Sequence, residues 1–186
     1  MKKIITHIKS FQFFYPYTVA VVGAKSETRI NYMSAAWHTA LSFNPPLFGV
    51  MISQKRLTHQ VISEAREFTV NFLDVDRVKL SAQMGRTSGH DRDKVVEFQV
   101  KLAPAKFLRS PVLEEAYASF ECKLTDVRAY GDHDLFVGAV VAVHAEDKAF
   151  RSDGVLDTRK VQPLLYLGSD FYVTIDPDTL KHILPE

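Results

Sequence analysis

Covalent and metal frameworks are the first things this sequence lacks, with one cysteine, Cys122, among 186 residues. A lone cysteine excludes an internal disulfide and any multi-cysteine zinc or iron–sulfur cradle within the chain. It also makes the reducing cytoplasm the expected compartment. The seven histidines include no i, i+4 pair and no His-x-His, so no local metal signature exists and no metal is expected. An excess of one charge is missing too: Lys+Arg 23 against Asp+Glu 22 leaves +1, which argues against nucleic acid as a partner but leaves room for a local anion site. No run approaches the roughly 20 apolar residues that span a bilayer. Met1–Ile8 leads into Lys9 rather than a long apolar core with a cleavage site, so neither a signal peptide nor a membrane is expected. Repeats, low-complexity tracts and Gly/Ser linkers are absent as well, and residues 1–186 are read as one domain.

What is present is material for a core, 46% hydrophobic residues with 13 Phe and 7 Tyr. Thr18–Lys25 is a β-branched apolar run that predicts a buried strand followed by a turn at Ser26–Arg29. Asn44-Pro45-Pro46 starts Leu47–Ser53 in extended form, because each proline biases its predecessor away from helix. Thr58 is expected to cap a helix to about Arg66, and Phe68–Leu73 returns to strand. Asp74 is expected to cap a second helix, ended by Gly85 in a left-handed conformation. Residues 86–99 suit a surface loop that leads into a short helix. Strands are predicted from Ser119 through Val127, from Leu135 to His144, and within Pro163–Val173, with a turn at Gly131–Asp134. Six or more strands with hairpin turns and only short helices favour a mainly β, antiparallel barrel over a parallel α/β sheet.

Chemistry-bearing patterns are few. Ser53-Gln-Lys-Arg56-Leu-Thr58 lies between a predicted strand end and a predicted helix start, where free N–H groups, two cations and two hydroxyls favour a phosphate; spacing alone favours a solvated turn with an ordinary N-cap. Asn31-Tyr-Met-Ser-Ala-Ala-Trp-His38 combines an amide, a hydroxyl and small residues that would admit a planar ligand, or is a loop packed down by Trp37. His133, in a turn, could orient a ligand or transfer a proton. Cys122 alternates with Phe120 and Leu124 and reads as a small buried hydrophobe rather than a nucleophile. No Rossmann fingerprint, Walker loop or Gly-x-Ser-x-Gly elbow occurs.

Taken in order, Tyr15-Pro-Tyr-Thr-Val-Ala-Val-Val, Asn31-x-Met-Ser-Ala-Ala-Trp37, Asn44-Pro-Pro-Leu-Phe-Gly-Val, Ser53-x-x-Arg-x-Thr-His59, Glu67-Phe-Thr-Val-Asn-Phe, Ser88-Gly-His-Asp-Arg-Asp-Lys94 and Gly131-Asp-His-x-Leu-Phe-Val-Gly-x-Val resemble the flavin reductase-like family. These are the FMN-binding split barrels that include flavoredoxins and the small reductase components of two-component monooxygenases. The resemblance runs from about Tyr15 to Tyr172, and the tail Asp176–Glu186 carries none of it. One departure is Glu27-Thr-Arg-Ile-Asn31, where many relatives place a glycine shortly before the asparagine.

The resemblance implies a homodimer of six-stranded antiparallel Greek-key split β-barrels, with FMN in a cleft near the dimer interface. It implies that Asn31, Met33, Ser34, Ala35 and Trp37 surround the isoalloxazine or ribityl chain, that Ser53, Arg56, Thr58 and His59 hold the phosphate, that Lys94 approaches the flavin or its phosphate, and that His133 faces the pocket where nicotinamide stacks. The implied activity takes hydride from NAD(P)H and passes electrons to free flavin, ferric iron or a protein. A flavoredoxin-type carrier reduced by a protein partner is the alternative, and a module binding some other planar ligand is a third.

Overall fold

The β-branched and aromatic runs of this sequence pair antiparallel in every sheet. The computed structural model describes residues 1–183, and the end of the unassigned tail, 184–186, lies outside the described residues. Seven strands form the main sheet: β2 (Ala20–Lys25), β3 (Ile30–Ala35), β4 (His38–Phe43), β5 (Pro46–Ser53), β6 (Glu67–Phe72), β9 (Ala118–Tyr130) and β10 (His133–Ala145). Short strands β1 (Tyr17–Thr18), β11 (Leu165–Gly168) and β12 (Phe171–Val173) make a small second sheet, and β7 (Leu102–Ala103) pairs with β8 (Val112–Leu113).

The order of the main sheet is β3-β2-β6-β9-β10-β5-β4. Its two edge strands, β3 and β4, are consecutive in the chain and separated by Ala36 and Trp37 alone, so the sheet must curl until its edges meet at that corner. The Met51 N–H, which donates to the Trp37 carbonyl at 2.9 Å, fastens the corner to β5. The result is the expected antiparallel split barrel with one more strand than the six expected. Asn31–His38, read as a loop or ligand segment, forms β3 and the start of β4, two strands the pattern does not predict, whereas the strand expected within Pro163–Val173 is found as β11 and β12 in the small second sheet. In β4 only His38 is buried, so the strand carries no alternation of apolar and polar residues by which to be found.

Helix α1 (Leu57–Ala65) fills the barrel mouth, burying Val61, Ile62 and Ala65 against Val22, Phe68, Val70 and Phe136. Fully burying a valine or isoleucine side chain contributes about 1.5–3 kcal/mol. The helix begins two residues earlier than expected, its N-cap is Arg56, and Thr58 lies buried inside it rather than capping it. Arg66 closes it in the left-handed region at φ 60°. Helix α2 (Val78–Arg86) and the short α3 (Lys94–Glu97) pack outside the sheet on Val21, Tyr32, Leu73 and Leu113. Asp74 does accept from the Asp76 N–H, but a 3₁₀ turn intervenes before α2, and Gly85 is inside the helix, which ends at Thr87 with φ −91°. Asp93 caps α3, accepting from the Val95 and Val96 N–H groups.

Cys122 is fully buried with Leu124 in the barrel core, and burial, with the charge of Glu121 secondary, pushes its thiol up to about 12. Glu121 is a charged group wholly shielded from solvent. It accepts from the N–H groups of Lys106, Phe107 and Leu108 at 2.6–3.1 Å and sits 2.5 Å from His144 Nε2. No helix among the described residues is long and apolar enough to cross a membrane.

Candidate functional site

The corner where the sheet edges meet opens into a cleft of about 500 Å³. Strand β3 runs along one wall, and its period of two puts Asn31, Met33 and Ala35 on the side of α1 while Ser34 points the other way. Ser34 Oγ donates to the Ser81 carbonyl at 2.6 Å and so ties β3 to α2. At the corner Trp37 donates from Nε1 to Tyr15 Oη at 3.2 Å, and its ring lies 5.0 Å from that of His133. The tight turn after β5, in which the Arg56 N–H donates to the Ser53 carbonyl at 2.9 Å, supplies Ser53, Lys55 and Arg56 to the same cleft. No side-chain cap occupies the N-terminus of α1 behind this turn. The Leu57 and Thr58 N–H groups are left without a helix carbonyl as partner, whereas the His59 N–H donates to the Arg56 carbonyl at 3.0 Å.

A small polar cavity of about 40 Å³ adjoins the cleft and shares Met33, Lys55 and Arg56 with it. Its walls bring together Asn31, Thr58 and Lys94. Asn31 Nδ2 donates to Thr58 Oγ1 at 2.7 Å. Lys94 is buried and donates to the Met84 carbonyl at 3.0 Å. Burial, with the charge of Arg56 secondary, pulls its ammonium down to about 8. An ammonium has three N–H donors, so Lys94 retains donors for an anion in this cavity.

Ten of the eleven expected site residues line one or both cavities. His59 is the exception. Its Nε2 sits 2.8 Å from Asp134 Oδ2, and Gln54 donates to the other oxygen of that carboxylate at 3.0 Å. These hydrogen bonds hold the Asp134 carboxyl below its ordinary value, Gln54 contributing most. The imidazole thus braces the Ser53–Arg56 turn against β10 from behind. His133 stands at the start of β10 with Nδ1 2.8 Å from Asp132 Oδ1, which leaves Nε2 for a molecule in the cleft.

Five further cleft residues, Tyr15, Ala36, Met51, Lys55 and Tyr166, had no role assigned from the sequence. Lys55 was one of the two cations counted in the turn, and Ala36 and Tyr15 lie within the motif segments. Tyr166 arrives from β11, which is held beside β1, and no local spacing announces it. His38 is the reverse case. It stacks on Phe48, its Nε2 is 3.0 Å from the Thr18 carbonyl, and burial drives it down to about 4, so it is a neutral core residue. Among the described residues no group of three or more His, Cys, Asp or Glu could hold a metal ion.

The structure superposes with a TM-score of 0.87 on an FMN-binding protein from Thermus thermophilus with bound 1-cyclohex-2-enone, at 37% identity over 98% of this chain and 99% of that one. It matches a flavoredoxin from Methanosarcina acetivorans with a TM-score of 0.84, at 27% identity over 95% and 92% of the two chains. In sequence it is 31% identical to an NADH:riboflavin 5′-phosphate oxidoreductase of Streptomyces pristinaespiralis, over 84% of this chain and 80% of that one. The model of the flavin reductase like domain matches residues 12–174, and the chain belongs to that family.

Proposed function

We propose that the cleft holds FMN and that the chain is an NAD(P)H-dependent oxidoreductase whose electrons go on to free flavin, ferric iron or a protein. The observation that carries this is the pairing of two joined cavities, one walled by Trp37, Tyr15 and the small Ala35 and Ala36, the other polar and flanked by Arg56 and buried Lys94. A ring system with a phosphate tail has those two chemistries in that order, and the cleft volume lies within the range of cofactor pockets. The likeness to the FMN-binding protein of Thermus thermophilus and to the NADH:riboflavin 5′-phosphate oxidoreductase of Streptomyces pristinaespiralis supports the same reading.

FMN, when bound, supplies the capacity to accept hydride and release electrons. The chain's own groups bind and orient. Arg56, Lys94 and the first N–H groups of α1 meet the phosphate charge. Ala35 and Ala36 leave the backbone open to a planar ring, and Trp37 and Tyr15 wall the ring side from water. His133, oriented by Asp132, presents Nε2 to the incoming partner.

The test is the visible spectrum of the purified protein, followed under anaerobic addition of NADH or NADPH. Bleaching of a flavin band on the timescale of turnover is expected. A protein that neither contains nor takes up FMN at micromolar concentration defeats the reading. A second reading, an electron carrier, is favoured by the likeness to a flavoredoxin; it predicts a yellow protein reduced slowly by NAD(P)H and rapidly by a redox protein. With either activity we place the chain in the cytoplasm as a homodimer, for which the exposed Phe43 of β4 and Val141 and Val143 of β10 offer apolar surface. Light scattering of the purified protein at twice the chain mass is the expected result.

A further inference from the structure

The cleft does not end at the residues assigned to FMN. Beyond Ser34, Ala36, Arg56 and Tyr166 it continues into a second cavity of about 200 Å³, whose far wall is Arg86, Asp170 and Tyr172. That wall is shared in turn with a groove of about 520 Å³ along α2, flanked by Lys79, Phe98 and the Arg92–Glu97 ion pair. The three spaces form one trough, longer than a mononucleotide needs, with Arg56 at one end of its middle section and Arg86 at the other. At this point Arg86 Nη2 is paired with Asp170 Oδ2 at 3.0 Å. Asp170 is held there by the β11–β12 turn, in which Ser169 and Asp170 both take positive φ, 49° and 64°. The pair is about half exposed on both sides, 58% and 48%, so little free energy opposes its exchange for another anion. A guanidinium fork matches phosphate oxygens better than a single carboxylate does. Tyr166 and Tyr172, with ring centroids 5.1 Å apart, and Phe98 give the trough aromatic surface on which a base can lie.

We propose that the Arg86–Asp170 annexe is a subsite for the adenosine diphosphate half of a dinucleotide, with Arg86 releasing Asp170 to take the phosphates. The proposal deepens the reading given above and rests on it. Both NAD(P)H and FAD carry this half, and the variants separate the two sources.

The experiment titrates ADP into wild type, Arg86→Ala and Asp170→Asn by calorimetry, and compares NADH with reduced nicotinamide mononucleotide and FAD with FMN in each. ADP is expected to bind wild type, about tenfold more weakly to Arg86→Ala, and several-fold more tightly to Asp170→Asn, which loses the competing charge while asparagine tolerates the left-handed φ. The opposite signs distinguish a ligand site from a merely structural ion pair, whose loss would move both variants the same way. A gap between NADH and its mononucleotide that Arg86→Ala closes identifies the electron donor as the source, and a gap between FAD and FMN identifies the flavin. No ADP binding, or weakening in both variants, overturns the subsite. FMN uptake is measured in parallel: uptake of FMN without ADP removes the annexe and keeps the FMN reading, whereas uptake of ADP without FMN removes the FMN reading and keeps the anion subsite.

Discussion

Asn31 and Thr58 lie 27 residues apart in sequence and meet through a 2.7 Å hydrogen bond that joins β3 to α1 at the floor of the polar cavity. Gly89 closes over this pair. A Cβ there would stand 2.3 Å from Asn31 Oδ1 and 3.0 Å from a Leu57 methyl, so an added methyl must displace the amide. Gly89→Ala is therefore expected to weaken FMN binding by about tenfold, the equivalent of about 1.4 kcal/mol, while the melting temperature moves by only a few degrees. Fluorescence titration with FMN checks it, and an unchanged dissociation constant would remove Asn31 from the site.

Lys94 makes the same site sensitive to alkali. Its ammonium titrates at about 8 rather than 10.5, because burial and then Arg56 oppose its charge. Between those two values the unfolded chain holds more protons than the native one, so the native state gains stability as pH rises through that window. Anion binding has the opposite sign, since the lysine loses its charge above pH 8. FMN affinity is expected to be flat near neutrality and to fall several-fold between about pH 8 and 9.5. Lys94→Met should bind FMN about tenfold more weakly at neutral pH and show no fall over that interval. A Lys94→Met protein that keeps the alkaline fall would assign it to another group.

Arg56 contributes to both cavities. Arg56→Ala should weaken FMN binding by about 1–3 kcal/mol through a lost charge-assisted contact. Removing its charge also relieves Lys94, so the alkaline fall should shift to higher pH in this variant. An unshifted midpoint would show the two cations to be uncoupled.

Glu121 fastens residues 106–108 to β9 through three N–H groups and to β10 through His144. Burial pushes its carboxyl up, but His144 and the three N–H groups outweigh it and leave the group below its ordinary 4.5. The stability this carboxylate contributes is thus present above pH 4.5 and is lost as pH falls through its lower native value. Glu121→Gln should cost about 3 kcal/mol at neutral pH, or roughly 6–12 °C of melting temperature, and should flatten the acid limb of the stability profile. Thermal melts of both proteins from acid to neutral pH read the two effects together.

The sheet chemistry was legible where burial left a pattern, and the misses share a cause. Val21, Val22, Phe68 and Val70 are buried residues in apolar runs, and both strands were found from them. β4 went unseen because an edge strand exposed along most of its length shows no period. Thr58 looked like a helix cap because it follows a strand and precedes an apolar period, yet its hydroxyl is used by Asn31, a partner no local window contains. The anion turn could be read in Ser53–Thr58 because its residues are adjacent, whereas Tyr166 and Arg86 reach the cleft only through the pairing of β11 with β1 and the packing of α2 on β3. The place of His59 outside both cavities has the same origin: nothing near it in sequence foretells the carboxylate of Asp134.

Trp37, the single tryptophan, sits at the corner that closes the barrel, within 5.6 Å of Phe11 and 5.0 Å of His133. The molecule consequently carries its own optical probe, and all emission excited at the red edge of protein absorption comes from one wall of the cleft. Ligand uptake, detachment of the N-terminal segment and opening of the sheet edges each change the surroundings of that one indole, so their rates can be timed in unlabelled protein.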